Sequence, residues 1–213
     1  MGASERRRAR ARSRTRRATA GSRAVLVGGV VAVMVIAALG LRLAMRTPSL
    51  GQATPGQAGV ATHLALEARA PGGSFATTSG RTRNVASLRG KPTLLWFVAT
   101  WCSSCQAGTT AMAREMPEFA RLGVRVVELE LYRDLGQPGP GIATFVRAEA
   151  GPRALADPGW MFGMASASLT RTYDPWGYLD VYYLLDRAGR IRDVGSSPAG
   201  TMGTLLRAVR GLG

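Results

Sequence analysis

The stretch PTLLWFVATWCSSC, residues 92–105, decides the fold of this chain. Its first part is an uninterrupted apolar run rich in β-forming residues, which is typical of a central strand buried on both faces. Cys102 and Cys105 follow at once and are the only cysteines among 213 residues. The segment from Cys102 to Leu122 has the pattern of a helix that Gly123 ends. The stretch therefore predicts a strand, a turn and a helix, with both cysteines where the helix begins.

The position of the two cysteines indicates redox chemistry. Backbone N–H groups in the first turn of a helix lack intrahelical partners, and the helix dipole favours negative charge there, so a thiolate at Cys102 is stabilised. Cys105 lies one turn further on the same face, with a Cα separation of about 5–6 Å that permits a disulfide. A bridge across so small a loop adds little stability. We therefore expect Cys102 to be the nucleophile and Cys105 the resolving thiol of a dithiol that needs no cofactor.

The segments on either side of this stretch alternate between strand and helix patterns. A hairpin that turns at Ser79–Gly80 precedes it. After the helix we expect a strand at residues 124–131, helices at 142–150 and 160–173, strands at 179–186 and 191–194, and a closing helix at 199–212. This order predicts an α/β domain over residues 74–213, in which helices flank a central mixed sheet.

The N-terminal third of the chain explains most of its formal net charge of +15. Residues 1–23 hold nine arginines and one acid, and residues 24–41 are 18 residues without a charge. As a helix that run spans about 27 Å, close to the thickness of a bilayer core. We expect a basic cytoplasmic tail (1–23), a single transmembrane anchor (24–45), and a flexible tether (46–73) rich in Gly, Pro, Ala and Thr. A cleaved secretory signal is the alternative.

Either alternative places the cysteines outside the cytoplasm. The expected location is the cell membrane, with a cytoplasmic N-terminus and an extracytoplasmic C-terminal domain. The basic charge is concentrated beside the apolar run, where membrane topology and anionic lipid explain it, so nucleic acid is not an expected partner. His63, the only histidine, falls in the tether, and no Cys/His cluster predicts a metal site.

The residues RTRNVASLRGKPTLLWFVATWCSSC, with the later YYLLDRAGRI, resemble the membrane-anchored TlpA/ResA-type thioredoxin-like thiol–disulfide oxidoreductases. The resemblance covers about residues 70–213 and is carried mainly by Trp101-Cys102-x-x-Cys105 in its strand–helix context. It implies a thioredoxin-like fold and a redox-active Cys102–Cys105 pair acting on protein thiols and disulfides. A reductase that keeps apo-cytochrome c or copper-site thiols reduced would draw electrons from a transmembrane donor.

Two positions depart from the pattern of that family. Its members carry a cis-proline before the strand that faces the cysteines, and Asp180 stands at that place here. Members also often carry a glutamate three residues after the second cysteine, where this chain has Gly108. A carboxylate at Asp180 could relay the proton of the resolving thiol, raise the pKa of a thiol by like-charge repulsion, or leave the dithiol open to a soft metal.

Several alternatives follow from these departures. A dithiol chaperone for Cu(I) on the same fold is the second functional hypothesis. Trp101 is a candidate for the substrate groove, together with a set of aromatic residues that either line the groove or pack in the core: Trp160, Trp176, Tyr178, Tyr182 and Tyr183. The peroxiredoxin pattern Pro-x-x-x-Thr-x-x-Cys fails, because Leu95 and Ala99 occupy its first two fixed positions. Sco-type copper proteins have three residues between their cysteines and a distal histidine, which this chain lacks.

Overall fold

The computed structural model describes residues 64–212, and its centre is one seven-stranded sheet. The strands are β1 (Ser74–Thr77), β2 (Thr82–Asn84), β3 (Thr93–Val98), β4 (Arg125–Glu130), β5 (Trp160–Ala165), β6 (Val181–Leu185) and β7 (Ile191–Ser196). Their order across the sheet is β2-β1-β5-β4-β3-β6-β7. Strands β3, β4 and β5 are parallel, and the other pairs are antiparallel. The predicted mixed sheet is confirmed.

Four α-helices cover the sheet. They are α1 (Ser103–Arg121), α2 (Ile142–Glu149), α3 (Ala167–Tyr173) and α4 (Pro198–Arg210). Short 3₁₀ segments lie at Val85–Leu88, Tyr132–Gly136 and Pro152–Ala156. None of the helices within residues 64–212 has the length and apolarity needed to cross a bilayer. The predicted anchor and basic tail lie outside the described residues.

The sheet separates two apolar clusters, one on each face. Helices α1, α2 and α4 bury residues such as Met112, Phe145 and Leu205 against one face. The other face is covered by α3, the first 3₁₀ segment and the chain before β1, through residues such as Leu169 and Val85. All six residues of β3 are buried, as expected for the central strand of a sheet with both faces covered.

Helix α1 ends as the sequence predicts. Gly123 has φ = +69°, a conformation that glycine adopts without strain. The N–H of Val124 donates to the carbonyl of Phe119, and the N–H of Gly123 donates to that of Ala120. These bonds satisfy carbonyls that the helix end leaves without partners, and they turn the chain directly into β4.

The prediction of one helix over residues 160–173 is wrong. Residues Trp160–Ala165 form β5, which pairs with β4 on one side and β1 on the other. Only Ala167–Tyr173 is helical, and the Ser166 side chain caps it by accepting a hydrogen bond from the N–H of Leu169. Sheet pairing on both edges outweighs the weak helical preference of this short segment.

The predicted tether ends earlier than residue 73. Ala70 is buried, and its N–H donates to the carbonyl of Gly189. The Tyr173 hydroxyl donates to the carbonyl of Pro71 at 2.7 Å. Residues 64–73 are therefore part of the domain, and Leu64 and Ala70 pack into the apolar cluster on the sheet face beside α3. The rest of the tether lies outside the described residues.

Candidate active site

Cys102 is the N-cap residue of α1. Its backbone is extended (φ −84°, ψ 122°), and its sulfur accepts a hydrogen bond from the N–H of Cys105 at an N···S distance of 3.4 Å. A second hydrogen bond joins that sulfur to the Ser104 hydroxyl at 3.1 Å. A helix N-cap prefers an acceptor, and a thiolate is a stronger acceptor than a thiol. The local structure therefore directs a backbone N–H and a hydroxyl at the Cys102 sulfur.

The two cysteines differ in their access to solvent. Both are free thiols; Cys102 retains 7% of its surface, and Cys105 is fully buried. Burial raises the pKa of the Cys105 thiol far above its ordinary value, and the nearby charge of Asp180 adds to this effect. Both residues are buried, and only Cys102 keeps any exposed surface, while the fully buried Cys105 stays protonated.

The loop after β4 fixes the backbone before the cysteines. The Thr100 N–H and hydroxyl donate to the two carboxylate oxygens of Asp134, at 2.8 and 2.6 Å. The Trp101 indole N–H donates to the Asp134 carbonyl at 2.9 Å. Asp134 is buried and has φ = +49°, and its neighbours Arg133 and Leu135 share this left-handed conformation. Such conformations cost energy at non-glycine residues and concentrate at functional sites.

Asp180 lies on the other side of α1. It is 2% exposed and has φ = +53°. One of its oxygens, Oδ1, accepts a hydrogen bond from the Trp96 indole at 2.9 Å. Burial raises the pKa of this carboxyl to about 6, against the opposing effect of hydrogen bonds from Ser104, Trp96 and Ser197. A carboxyl with that pKa can exchange a proton near neutral pH.

Gly108 makes room for this carboxyl. A Cβ atom at Gly108 would lie 2.7 Å from Cζ2 of Trp96 and 3.4 Å from Oδ1 of Asp180. Gly108 stands one turn after Cys105 in α1, so the carboxyl approaches the helix close to Cys105. Members of the resembling family often carry a glutamate at this position. Here the nearby carboxyl comes from Asp180, which is distant in the sequence.

A group of exposed apolar side chains begins at Trp101, next to Cys102, and we call it the apolar rim: Trp101, Tyr132, Leu135, Trp176 and Tyr178. These are five of the seven large hydrophobic side chains that are exposed in the described part of the chain. A Cβ on Gly177 would lie 3.3 Å from Leu135, so the loop of Trp176 and Tyr178 adjoins the Asp134 loop. The Trp176 and Tyr178 rings lie 5.7 Å apart. The rim is therefore continuous from Trp101 to Tyr178.

The structure brings together the four residues singled out in the sequence: Cys102, Cys105, Trp101 and Asp180. Of the aromatic residues for which the sequence left groove and core open, Trp160, Tyr182 and Tyr183 are buried in the core, while Trp176 and Tyr178 are exposed. Sequence reasoning missed Asp134 and the space at Gly108. It also missed Glu128, although a charged residue inside the apolar strand β4 is a visible signal of a buried group.

Comparisons with known proteins agree with this geometry. A model of the AhpC/TSA family matches residues 66–133, which include both cysteines. No curated protein matches the chain. A thiol:disulfide interchange protein of the thioredoxin family from Chlorobium tepidum TLS is 22% identical, with a TM-score of 0.50; the match covers 70% of this chain and 99% of that one.

Two further solved structures resemble the chain. Peroxidoxin BcpB from Mycobacterium tuberculosis is 16% identical with a TM-score of 0.53, covering 71% of this chain and 99% of that one. A candidate protein disulfide isomerase from Bacteroides thetaiotaomicron is 18% identical with a TM-score of 0.53. The match covers 70% of this chain and 91% of that one. These likenesses show a thioredoxin-like fold. The AhpC/TSA match, which includes both cysteines, supports thiol–disulfide oxidoreductase activity.

Proposed function

We propose that this protein is a membrane-anchored, extracytoplasmic thiol–disulfide oxidoreductase that reduces protein disulfides through Cys102 and Cys105. One observation carries the proposal: the Cys102 sulfur, in a residue that keeps 7% of its surface exposed, accepts an N–H at a helix start, and the Cys105 thiol of the same helical turn is buried near a carboxyl. The anchor and the orientation rest on residues 1–45 of the sequence. The same site suits disulfides in apo-cytochrome c or in copper-site proteins, and a transmembrane donor would return the electrons.

The reaction takes two exchange steps. The Cys102 thiolate attacks one sulfur of the substrate disulfide; a mixed disulfide forms, and the other substrate sulfur leaves and takes up a proton. Asp180 then accepts the proton of Cys105, and the Cys105 sulfur attacks the Cys102 sulfur. The second substrate thiolate leaves and is protonated. Two electrons have passed from the dithiol to the substrate, and a Cys102–Cys105 disulfide remains.

The apolar rim suits a polypeptide substrate. A small disulfide needs no contact beyond the dithiol. A polypeptide can also place apolar side chains next to its cysteine against Trp101, Leu135 and Trp176. Aromatic side chains contribute large contact areas at low entropic cost. We therefore assign the rim to extended or unfolded segments that carry apolar residues next to a disulfide.

Reduction of insulin by the full-length protein in detergent tests the activity. The wild type should reduce insulin with dithiothreitol as donor, Cys102→Ser should be inactive, and Cys105→Ser should accumulate a mixed disulfide. Ser103→Ala is the matched control, because Ser103 is exposed in the same helical turn and it is Ser104 whose hydroxyl bonds to the Cys102 sulfur. Equal and slow reduction by the wild type and Cys102→Ser would remove the basis for an enzyme.

Anaerobic titration with Cu(I) tests the copper-chaperone alternative. Soft Cu(I) prefers thiolates, and the pair Cys102–Cys105 supplies two. The burial of Cys105 and its raised pKa oppose deprotonation of the second ligand, so we expect weak binding at neutral pH. Tight one-to-one binding in a protein without exchange activity would replace the enzyme by the chaperone.

A further inference from the structure

A cavity of about 370 Å³ opens beside the first turn of α2, and the proposed reaction does not use it. Ile142 and Thr144 of α2 form one wall, Met164 of β5 and Thr78 after β1 form the opposite side, and Glu130 lies at the end of β4 between them. Sites that hold a ligand group are concave and mostly apolar, with a few polar groups that fix its orientation. This cavity has that composition.

The pairing of the strands places the cavity close to the dithiol. Val98 of β3 is in register with Glu130 of β4, and Glu130 is in register with Met164 of β5. Val98 stands four positions before Cys102. Neighbouring strands lie about 4.8 Å apart, so the cavity begins one strand away from the strand that leads to the cysteines.

The Glu130 carboxylate is only partly satisfied. It is 8% exposed, and its Oε2 atom accepts a hydrogen bond from the N–H of Ile142 at 3.1 Å. Within residues 64–212 this is its one hydrogen bond, and no lysine or arginine forms an ion pair with it. Arg133, the basic residue nearest in sequence, lies over the Tyr132 ring instead. A buried carboxylate without a cation is unfavourable, so this position favours a positively charged ligand.

The environment of Glu130 is negative as well as dry. Burial raises the pKa of this carboxyl, and the charge of Asp134 raises it further. A bound cation would oppose both effects and hold Glu130 ionised. The hydroxyls of Thr78 and Thr144 also line the cavity and can accept further hydrogen bonds. The remaining walls, which include Ile142 and Met164, are apolar and suit the stem of a long side chain.

An exposed loop, residues 136–141, runs from the dithiol to the cavity. A Cβ atom on Gly139 would clash with the Thr100 hydroxyl and with the Asp134 carboxylate, so the loop lies directly against the backbone that precedes the cysteines. Its last residue, Gly141, lines the cavity. A polypeptide whose cysteine reacts at Cys102 can therefore reach the cavity by crossing this loop.

We propose that the cavity binds a lysine or arginine side chain of the polypeptide whose disulfide is reduced, with its charged head on Glu130 and its apolar stem against Ile142 and Met164. This inference rests on the proposed function. Lysine and arginine carry a cationic head on an apolar stem, which is the combination that the cavity accommodates. The enzyme then prefers disulfides that have a basic residue nearby in the sequence.

Equilibrium binding of peptides to the full-length protein in detergent tests the inference without any redox step. The probes are fluorescent peptides with serine in place of cysteine, in which lysine or its uncharged analogue norleucine is placed at successive positions. At one position the lysine peptide should bind about tenfold more tightly than the norleucine peptide, as expected for hydrogen bonds to a charged group. Glu130→Gln should abolish this difference and leave norleucine binding unchanged. Glu67→Gln is the control, because Glu67 is exposed and does not line the cavity.

Met164→Lys gives a second test that leaves Glu130 in place. Met164 is 40% exposed and stands beside Glu130 in the sheet, so a lysine there supplies the missing cation from within the chain. This variant should lose the preference for the lysine peptide, and Met164→Leu should keep it. Equal binding of the two peptides to the wild type at every position, or a preference that persists in Glu130→Gln or Met164→Lys, overturns the inference.

Reduction kinetics with the matching peptide disulfides separates this inference from the proposed function. Glu130→Gln should raise KM for the lysine peptide about tenfold, to the value for the norleucine peptide, and should leave kcat unchanged. If the wild type reduces both peptides with the same KM, the inference fails and the proposed function stands. If the wild type binds the lysine peptide selectively and reduces neither disulfide, it is the proposed function that fails.

Discussion

Oδ1 of Asp180 lies 3.4 Å from the point where a Cβ atom on Gly108 would stand, although 72 positions separate these residues in the sequence. The absence of a side chain at Gly108 lets the carboxyl and the Trp96 indole pack against α1, one turn after the resolving cysteine. The glycine and the acid are thus two parts of one arrangement. The first prediction concerns this contact.

Gly108→Ala should destabilise the protein by about 1–3 kcal/mol, as overpacked core substitutions do. The added Cβ would lie 2.7 Å from Trp96, whose ring must shift and weaken its hydrogen bond to Asp180. Urea unfolding measures the change. The matched control is Gly203→Ala in α4, where the nearest atom is the end of Arg207 at 3.9 Å. The free energy of unfolding of that control should increase by about 0.5–1 kcal/mol, because alanine has a higher helix propensity than glycine. A gain at both positions would contradict the close packing at Gly108.

Asp180→Asn should slow the resolution of the mixed disulfide by about 100-fold, the usual scale for loss of general base catalysis. The carboxyl has a pKa of about 6, so the wild-type rate should rise as pH increases through that value, and the variant should lack this inflection. The pKa of Cys105 should fall in the variant, because a negative charge is removed, and should remain above its ordinary value because the thiol stays buried.

Single-turnover kinetics with a peptide disulfide measures this rate across pH. Asp193→Asn is the control, since Asp193 is a buried carboxyl of β7 whose pKa is also raised. A retained inflection near pH 6 in Asp180→Asn would show that another group accepts the proton.

Glu128→Gln should change how stability depends on pH. The folded-state pKa of Glu128, about 8, lies above its ordinary value of 4.5, so its contribution is fully present below pH 4.5 and is lost as pH rises through 8. The loss amounts to at most about 5 kcal/mol at 1.36 kcal/mol per pKa unit. The variant cannot ionise, so its stability should increase relative to the wild type as pH rises from 5 to 9, in denaturant unfolding at each pH.

Glu118→Gln should change the pH dependence of stability in the opposite direction. The hydrogen bonds from Arg121 and Arg210 lower the pKa of Glu118 to about 2, so its small contribution is present above pH 4.5 and is lost as pH falls. Parallel pH curves for Glu128→Gln and the wild type would mean that Glu128 does not titrate in the folded protein.

The double variant Trp176→Ser/Tyr178→Ser should raise KM for an apolar peptide disulfide by about tenfold, which corresponds to about 1.4 kcal/mol of lost binding. The rate with a small disulfide such as oxidised glutathione should stay the same, because that substrate reacts with the dithiol without contacting the apolar rim. Leu66→Ser is the control; Leu66 is 57% exposed and does not belong to the apolar rim. Equal loss with both substrates would indicate damage to the dithiol itself.

Thr100→Val should destabilise the protein by about 1–3 kcal/mol. It removes the hydroxyl that donates to Oδ2 of Asp134, and the buried carboxylate keeps only the backbone N–H of residue 100. Thermal unfolding measures the effect. Thr172→Val is the control, because that exposed hydroxyl donates only to a carbonyl of its own helix. This variant should change the free energy of unfolding by no more than about 0.5 kcal/mol.

The local part of the site could be predicted from sequence. Cys102 at the helix start, the buried strand before it and the end of α1 at Gly123 follow from short-range rules on apolar runs, dipoles and caps. Residues 160–173 were predicted wrongly, because six residues between two strands take their conformation from sheet pairing, which a local pattern does not contain.

The contacts that adjust the chemistry could not be predicted. Asp134 reaches Thr100 across 34 positions, and Asp180 reaches Trp96 across 84. The sequence marks Asp180 only through its place in a family pattern, and it gives no sign that Gly108 and Asp180 share a space. Such pairs depend on how the loops at one edge of the sheet come together, which is a property of the whole fold.

The proposed proton acceptor, Asp180, is carried by a loop and not by the helix that carries the sulfurs. The N–H groups of Tyr178 and Leu179 donate to the Asp174 carboxylate, and Asp180 follows directly. The loop that presents Tyr178 of the apolar rim therefore also holds the proposed base two residues further along the chain.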